Sequence, residues 1–405
     1  MVSHVEIEHC RLCHSDKLLQ VIGLGNMALT GIFPTLDDAD SVPTGPVALM
    51  RCAQCGLVQL KQTYELSLMY GDHYGYHSSL NGSMARHLCA TVDYLQDMVP
   101  LRYADAVIDI GSNDGTLLNY YSNDFLKTGI DPTIRKFKRM YDHGITTIPR
   151  FFHANVYDGK RAKIITSIAM FYDVGDPIAF AQDVYACLDD EGIWYTEQAY
   201  LPRMLEMGAL DTICQEHLMF YCVCDIQRIA KASGFKIVDV RFNDVNGGSF
   251  GVALAKVGSA HATYDKLEQV LASEEHLMHV DTYNTFYQKV MENCADLLLL
   301  LTQLRSGGKR VLGYGASTKG NVLMQFCGIT NKDILAISDV NEDKWGCVTP
   351  GTHIPIISPV EADAMDPTHY LVLPWHFRKD ILAREGAYMD DGGRFIFPMP
   401  KVEVV

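Results

Sequence analysis

The run Val107-Ile108-Asp109-Ile110-Gly111-Ser112-Asn113-Asp114-Gly115-Thr116-Leu117-Leu118 permits few folds. An apolar stretch ends in a turn with two glycines, and residues able to open a helix follow. A second apolar piece, Gly129-Ile130, ends at Asp131. The order strand, tight turn, helix, strand, acid opens an α/β unit on a parallel sheet. Gly111 and Gly115 let the backbone approach a ligand with no Cβ in the way. Asp131 lies about twenty residues past the first glycine, where an acid ending the second strand can hold two ribose hydroxyls.

The run lacks the Gly-x-Gly-x-x-Gly of a dinucleotide site. With Asp109, the Asn113-Asp114 pair and Asp131 it resembles the S-adenosylmethionine (SAM) site of class I methyltransferases, in preference to a plain structural turn. That resemblance implies cofactor contacts from Asp109, Gly111, Ser112, Asn113, Gly115 and Asp131.

Four cysteines form two knuckles, Cys10-Arg11-Leu12-Cys13 and Cys52-Ala53-Gln54-Cys55-Gly56. Two thiolates per knuckle can reach one tetrahedral ion, so Cys10, Cys13, Cys52 and Cys55 predict a Zn2+ site. Four thiolates leave no position for water, and the zinc is expected to be structural. Leu24–Leu29 and Val47–Met50 can supply strands of a small β insert between the knuckles. The other eight cysteines are scattered, as buried apolar fillers would be.

A chain of 405 residues can hold two or three domains. Its net charge of −15 repels nucleic acid and anionic membrane, so neither is expected as a partner. The first twenty residues carry His, Glu, Arg, Cys and Lys instead of an apolar leader core, and Leu297–Leu301 is far too short to span a bilayer. A cytoplasmic location is the expectation. Oligomeric state is unreadable.

Residues 70–79 are dense in aromatic and hydroxyl groups and suit a surface loop or a lid over a ligand. Ile164–Ile168 reads as a buried strand whose carboxyl end carries Asp173, a candidate second base or a cap for the next turn. Asp176 and Pro177 open a helix to about residue 188. Gly192–Gln198 reads as the next strand, and beyond it lies the Glu216-His217 pair, suited to general base work. Asn246-Gly247-Gly248-Ser249 is a turn able to close one wall of the same pocket. A polar helical linker or hairpin follows. Arg310–Asn321 then repeats the strand, glycine turn and helix start. Its Ser317, Thr318 and Lys319 resemble a phosphate cradle, as for a nucleotide diphosphate, in preference to a unit that only dimerises or braces the first.

The chain as a whole resembles the sugar C-methyltransferases that act on nucleotide-linked keto-deoxysugars. The resemblance rests on CxxC…CxxCG, Tyr-x-Tyr-x-Ser-Ser at 74–79, DIGSNDGTLL, Glu216-His217, Gly247-Gly248-Ser249, the run from Gly313 to Gly320, and Pro350–Ile356. It implies an α/β protein with a zinc-binding module (1–72), a class I SAM methyltransferase Rossmann-like domain (73–258), a helical linker (259–306) and a second Rossmann-like domain (307–405). It implies enolate chemistry beside a C4 ketone, with His217 as base and Glu216 as its orienting or polar partner. Tyr76 and Tyr74 would contact the sugar or the enolate oxygen, and Ser78, Asn246, Tyr314, Ser317, Thr318 and Lys319 the rest of the substrate. The chain departs from the family at Cys214-Gln215 (usually Tyr-His), at Asp173 and at Asn246 (each usually His). Transfer to oxygen or nitrogen of a related sugar, or a SAM-fold binding protein without catalysis, stays open.

Overall fold

The structure, a computed structural model, describes residues 4–70 and 75–405. The sugar contact expected from Tyr74 lies outside the described residues. The strands Leu18–Ala28, Thr44–Cys52 and Val58–Leu60 form an antiparallel meander. They contain Val47–Met50 and all of Leu24–Leu29 but its last residue. The fourth strand of this sheet is Met219–Phe220, which pairs with Val58 and Gln59 from far along the chain.

The strand Ala106–Ile110 is buried along its whole length, as a central parallel strand covered on both faces must be. It lies in a seven-stranded sheet in the order 235–243, 249–256, 188–199, 162–168, 106–110, 126–130, 146–148. Strand 249–256 pairs antiparallel with both neighbours, and the other pairings are parallel. Chain order reverses between Ala106–Ile110 and Ala162–Ile168. Their carboxyl ends therefore diverge into a crevice, where open α/β sheets bind ligands. The helix Pro177–Cys187 begins as expected, with Asp176 Oδ1 accepting Ala179 N–H at 2.9 Å.

A six-stranded sheet holds the carboxyl-terminal third, in the order 356–357, 337–338, 311–314, 369–372, 394–397, 403–404, parallel except for the last pair. It repeats the first turn closely. Gly111 N–H donates to Ile130 C=O and Gly315 N–H to Ser338 C=O, both at 2.8 Å. The strand-end Asp131 accepts Asn113 N–H, and Asp339 accepts Ala316 N–H.

The segment read as a polar linker packs as part of the core. Its long helix, Val280–Ser306, buries Tyr283, Phe286, Val290, Leu297 and Leu301. One apolar cluster runs from Ile22 and Leu49 of the amino-terminal sheet through Phe286 to Leu312 and Phe397. Among the described residues no helix is long and apolar enough to cross a membrane.

Candidate active site

Two cavities of about 350 and 340 Å3 open at the carboxyl end of the central sheet, and Tyr76, Met84, Ile168 and Ala169 line both. The first contains the glycine turn. Gly111 and Gly115 have φ of +75° and +80°, the left-handed region that side chains resist. Asp131 Oδ2 accepts Asn113 N–H (3.0 Å), while Oδ1 accepts Thr133 N–H (2.6 Å) and its hydroxyl (2.5 Å). Oδ2 keeps one acceptor position, enough for a ribose hydroxyl. Asp109 accepts Thr166 Oγ1–H at 2.6 Å. Burial pushes Asp109 up to about 7, and repulsion from Asp131 and Asp114 adds to the shift. Clustered, buried carboxylates of this kind suit a ligand with cationic groups and a ribose diol. The residues fit S-adenosylmethionine, the cofactor of this fold.

The residues expected at the cofactor are placed unevenly about this cavity. Asp109, Gly111, Ser112, Asn113 and Asp131 line the first cavity. Gly115 instead caps the following short helix and faces the ring of Tyr141. The Asn113 side chain is taken up by the loop above it. Its Oδ1 accepts Ser78 N–H and Oγ–H, and its Nδ2 donates to Tyr76 C=O. Asp114 Oδ2 accepts Ser79 N–H at 2.9 Å. The Asn-Asp pair thus docks the described end of the tyrosine-rich segment over the cofactor cavity. Ser78, expected at the substrate, lines this first cavity.

The second cavity lies between the central sheet and the carboxyl-terminal unit. It is lined by Glu216, His217, Asn246, Ser317, Thr318 and Lys319 among others. Cys214–His217 is a turn closed by His217 N–H on Cys214 C=O at 3.2 Å. His217 Nδ1 lies 2.7 Å from Thr212 C=O. A carbonyl only accepts, so Nδ1 carries the proton and Nε2 the lone pair. The ring packs edge-on against Tyr172 at 4.3 Å. Burial, with a smaller contribution from nearby Lys319, lowers its pKa to about 4 against the opposing Thr212 carbonyl. Glu216 is buried, accepts Cys214 S–H at 3.5 Å and is raised to about 7 by desolvation. Glu216 therefore does not orient His217; the Thr212 carbonyl does, because successive residues of a tight turn point apart.

Two further expectations are corrected. Asp173 ends the short helix Phe171–Asp173, accepts Tyr70 O–H at 2.6 Å and lines the first cavity, not the second. Burial holds its carboxyl well above the usual range, with Glu216 adding to the shift. A carboxyl that keeps its proton is a poor second base. Tyr314 is absent from the lining of both cavities. Its hydroxyl meets Glu385 at 2.5 Å and its ring packs against Tyr370 and Phe395, because it sits on the far face of its strand. Ser317 caps the helix Thr318–Cys327 through Gly320 N–H at 3.0 Å, and Lys319 Nζ reaches Asn246 C=O at 3.1 Å.

The second cavity is also lined by Gly31, Phe33 and Lys344, which no local motif marks, by His77 of the tyrosine-rich segment, and by His376 just past a strand end. Glu197 lies near the carboxyl end of its strand. Its Oε1 lies 2.6 Å from His87 Nε2, and its Oε2 accepts Tyr195 O–H at 2.8 Å.

Away from both cavities, Cys10, Cys13, Cys52 and Cys55 place their sulfurs within 4.8 Å of one another. Gln59 Nε2 donates to Cys10 Sγ at 3.3 Å, as a second donor around thiolates should. Four converging, largely buried sulfurs fit Zn2+ in a closed site.

Comparison with known proteins agrees. Residues 10–70 match the family model described as "Putative zinc binding domain". Residues 81–240 match "Methyltransferase domain" and residues 244–400 "C-methyltransferase C-terminal domain". The chain is 31% identical to the C-methyltransferase NovU of Streptomyces niveus, over 98% of this chain and 97% of the relative. Solved structures resemble part of the chain. An N1-methyltransferase of Burkholderia thailandensis with S-adenosylhomocysteine is 10% identical, covering 45% of this chain and 84% of its own at a TM-score of 0.35. The N-methyltransferase NodS of Bradyrhizobium japonicum is 11% identical, covering 44% and 98% at 0.34. The chain belongs to the C-methyltransferase family and is a SAM-dependent methyltransferase.

Proposed function

We propose that this C-methyltransferase methylates a ring carbon next to the ketone of a nucleotide-linked 4-keto deoxysugar through an enolate, with His217 as base. One observation carries the reading. His217 Nδ1 is locked on a carbonyl, and the ring lines a cavity with Lys319 that meets the cofactor cavity at Tyr76 and Ala169.

The ketone acidifies the hydrogen on the adjacent carbon. His217 Nε2 holds the lone pair that takes this proton, and burial keeps the ring neutral at neutral pH. The imidazolium so formed, together with Lys319, stabilises the negative charge left on the enolate oxygen. Tyr76, at the junction of the cavities, offers a phenol to that oxygen. Glu216, near 7, offers a proton to the same region when neutral. When bound, SAM supplies the electrophilic methyl group and departs as S-adenosylhomocysteine, the net proton going to solvent. The carboxylates around Gly111 hold the cofactor, and the docked Tyr76–Ser79 segment shields both ligands from water.

Ser317, Thr318 and Lys319 open a helix of ten residues toward the acceptor cavity. Backbone N–H groups and an ammonium there favour a phosphorylated ligand despite the negative net charge. Asn246, whose carbonyl receives Lys319, completes that wall.

The test is mass spectrometry of nucleotide-linked 4-keto deoxysugars incubated in deuterated water, with and without SAM. Deuterium uptake at carbon without SAM, and one added methyl on that carbon with SAM, is the expected result. A methyl located by NMR on oxygen or nitrogen refutes the C-methylation reading.

A further inference from the structure

The amino-terminal module grips the segment that carries Glu216 and His217 at two points. Past His217, Leu218 C=O accepts Leu60 N–H at 2.9 Å, and Met219 and Phe220 pair with Gln59 and Val58. That strand begins three residues after Cys55. Before Glu216, the buried side chain of Gln215 reaches the module's loop. Its Oε1 accepts Thr30 Oγ1–H at 3.2 Å, and its Nε2 faces the carbonyls of Met27 and Ala28 at 3.3 Å each. The same loop holds the carboxyl-terminal unit. Asn321 Nδ2 donates to Thr30 C=O at 2.8 Å, and Gln325 bonds both backbone groups of Ala28. Asn321 and Gln325 lie on the helix that opens with Thr318 and Lys319.

The chemistry at Gln215 is specific to an amide. Carbonyls only accept, so the –NH2 end must face Met27 and Ala28 and the oxygen must face the Thr30 hydroxyl. Leucine would remove the amide donor shared by the Met27 and Ala28 carbonyls, leaving Ala28 with Gln325 alone, and would leave the Thr30 hydroxyl without this acceptor; a carboxylate would set oxygen against oxygen. The next contact is tighter. A Cβ added to Gly31 would overlap Glu216 Oε1. Gly31 and Phe33 of this loop also line the acceptor cavity.

We propose that Gln215 is a positioning residue through which the tetracysteine module sets the place of Glu216 and His217 against Lys319. The inference rests on Glu216 and His217 being the reacting pair. A module that only braced the fold would affect melting. A module that places the turn also affects how the His217 ring is buried.

The experiment follows the imidazole directly and needs no substrate. In the full chain labelled with 13Cε1-histidine, the His217 signal is assigned by its loss in His217→Gln. In the parent it stays neutral down to about pH 4. In Gln215→Leu its midpoint is expected to rise by about one pH unit or more toward the solvent value, as water reaches the ring. SAM affinity by calorimetry and zinc content stay within twofold of the parent. An unmoved midpoint with only a lower melting temperature overturns the proposal. Should Gln215→Leu fail to fold, Gly31→Ala decides. Its His217 midpoint is expected to rise likewise and to fall back in Gly31→Ala/Glu216→Asp, where the shorter carboxylate vacates the overlap. No return in the double variant overturns the proposal. Failure of the C-methylation reading would appear separately, as a parent that transfers no methyl to a keto-sugar carbon, with these titrations unaffected.

Discussion

Burial of His217 makes a quantitative prediction about acid tolerance. Desolvation first, and Lys319 second, bring the imidazole down to about 4, against the backbone bond to Thr212. At pH 5.5 a base of pKa 4 is about 97% neutral, whereas an ordinary histidine near 6.5 is about 9% neutral, a roughly tenfold difference in active enzyme. The acid limb of kcat/KM is therefore expected near pH 4, not 6.5. If neutral Glu216 acts as donor, a basic limb follows near 7, where its carboxyl ionises. The assay is S-adenosylhomocysteine release with a nucleotide-linked 4-keto sugar, from pH 3.5 to 9. The fold imposes one control. A histidine held neutral below its unfolded pKa contributes stability that is complete above pH 6.5 and is lost as pH falls toward 4. At pH 5.5 that loss is on the order of 1 kcal/mol from this residue alone. Rates must be taken promptly after dilution from pH 7, with folding checked by circular dichroism. An acid limb centred near 6.5 in folded enzyme would refute the burial argument. A limb that persists in the residual activity of His217→Gln would remove His217 as the titrating base.

Three other outcomes can be checked. Gly115→Ala places a Cβ 2.7 Å from the Tyr141 ring at φ +80°, and the left-handed strain should lower folding stability by about 1–2 kcal/mol in a urea titration; an unchanged midpoint would refute the strain argument. Lys319→Met should raise the acceptor KM about tenfold and flatten its dependence on salt while leaving SAM affinity unchanged; an unchanged KM would place the acceptor's negative charge elsewhere. Chelation should release one zinc per chain and abolish turnover only as the amino-terminal sheet unfolds, because the metal stabilises the module and touches no reacting atom. Activity lost before any change in circular dichroism would contradict a structural metal.

Much of the fold was legible because its signals are local. Gly111 and Gly115 mark left-handed turn positions, Asp176-Pro177 marks a helix start, and paired CxxC knuckles mark a metal. The repeat of the same turn at Gly315 was visible for the same reason. The long helix was harder. Its polar composition suggested a spacer, yet a stripe from Tyr283 to Leu301 packs inside the shared core.

The acceptor cavity was only half legible. Glu216, His217 and Lys319 stood out by chemistry, but the same criterion also picked Tyr314, whose phenol turns to Glu385, and Asp173, which faces the cofactor cavity. Side chains alternate faces along a strand, which turns Tyr314 away, and the short helix Phe171–Asp173 presents Asp173 to the first cavity. The partners that matter most to the Glu-His turn come from 185 residues away, where Thr30 meets Gln215, and from a strand pairing between Met219 and Gln59. The amino-acid sequence by itself determined the turns, the cofactor cradle and the metal ligands, because each is built from short motifs recognisable by their own spacing, even where two of them converge from a distance as the cysteine knuckles do. Only the tertiary structure decided which wall each candidate occupies and that the amino-terminal module bonds the segment carrying Glu216 and His217, because a buried amide or carbonyl must be paired and its partner may lie anywhere along the chain.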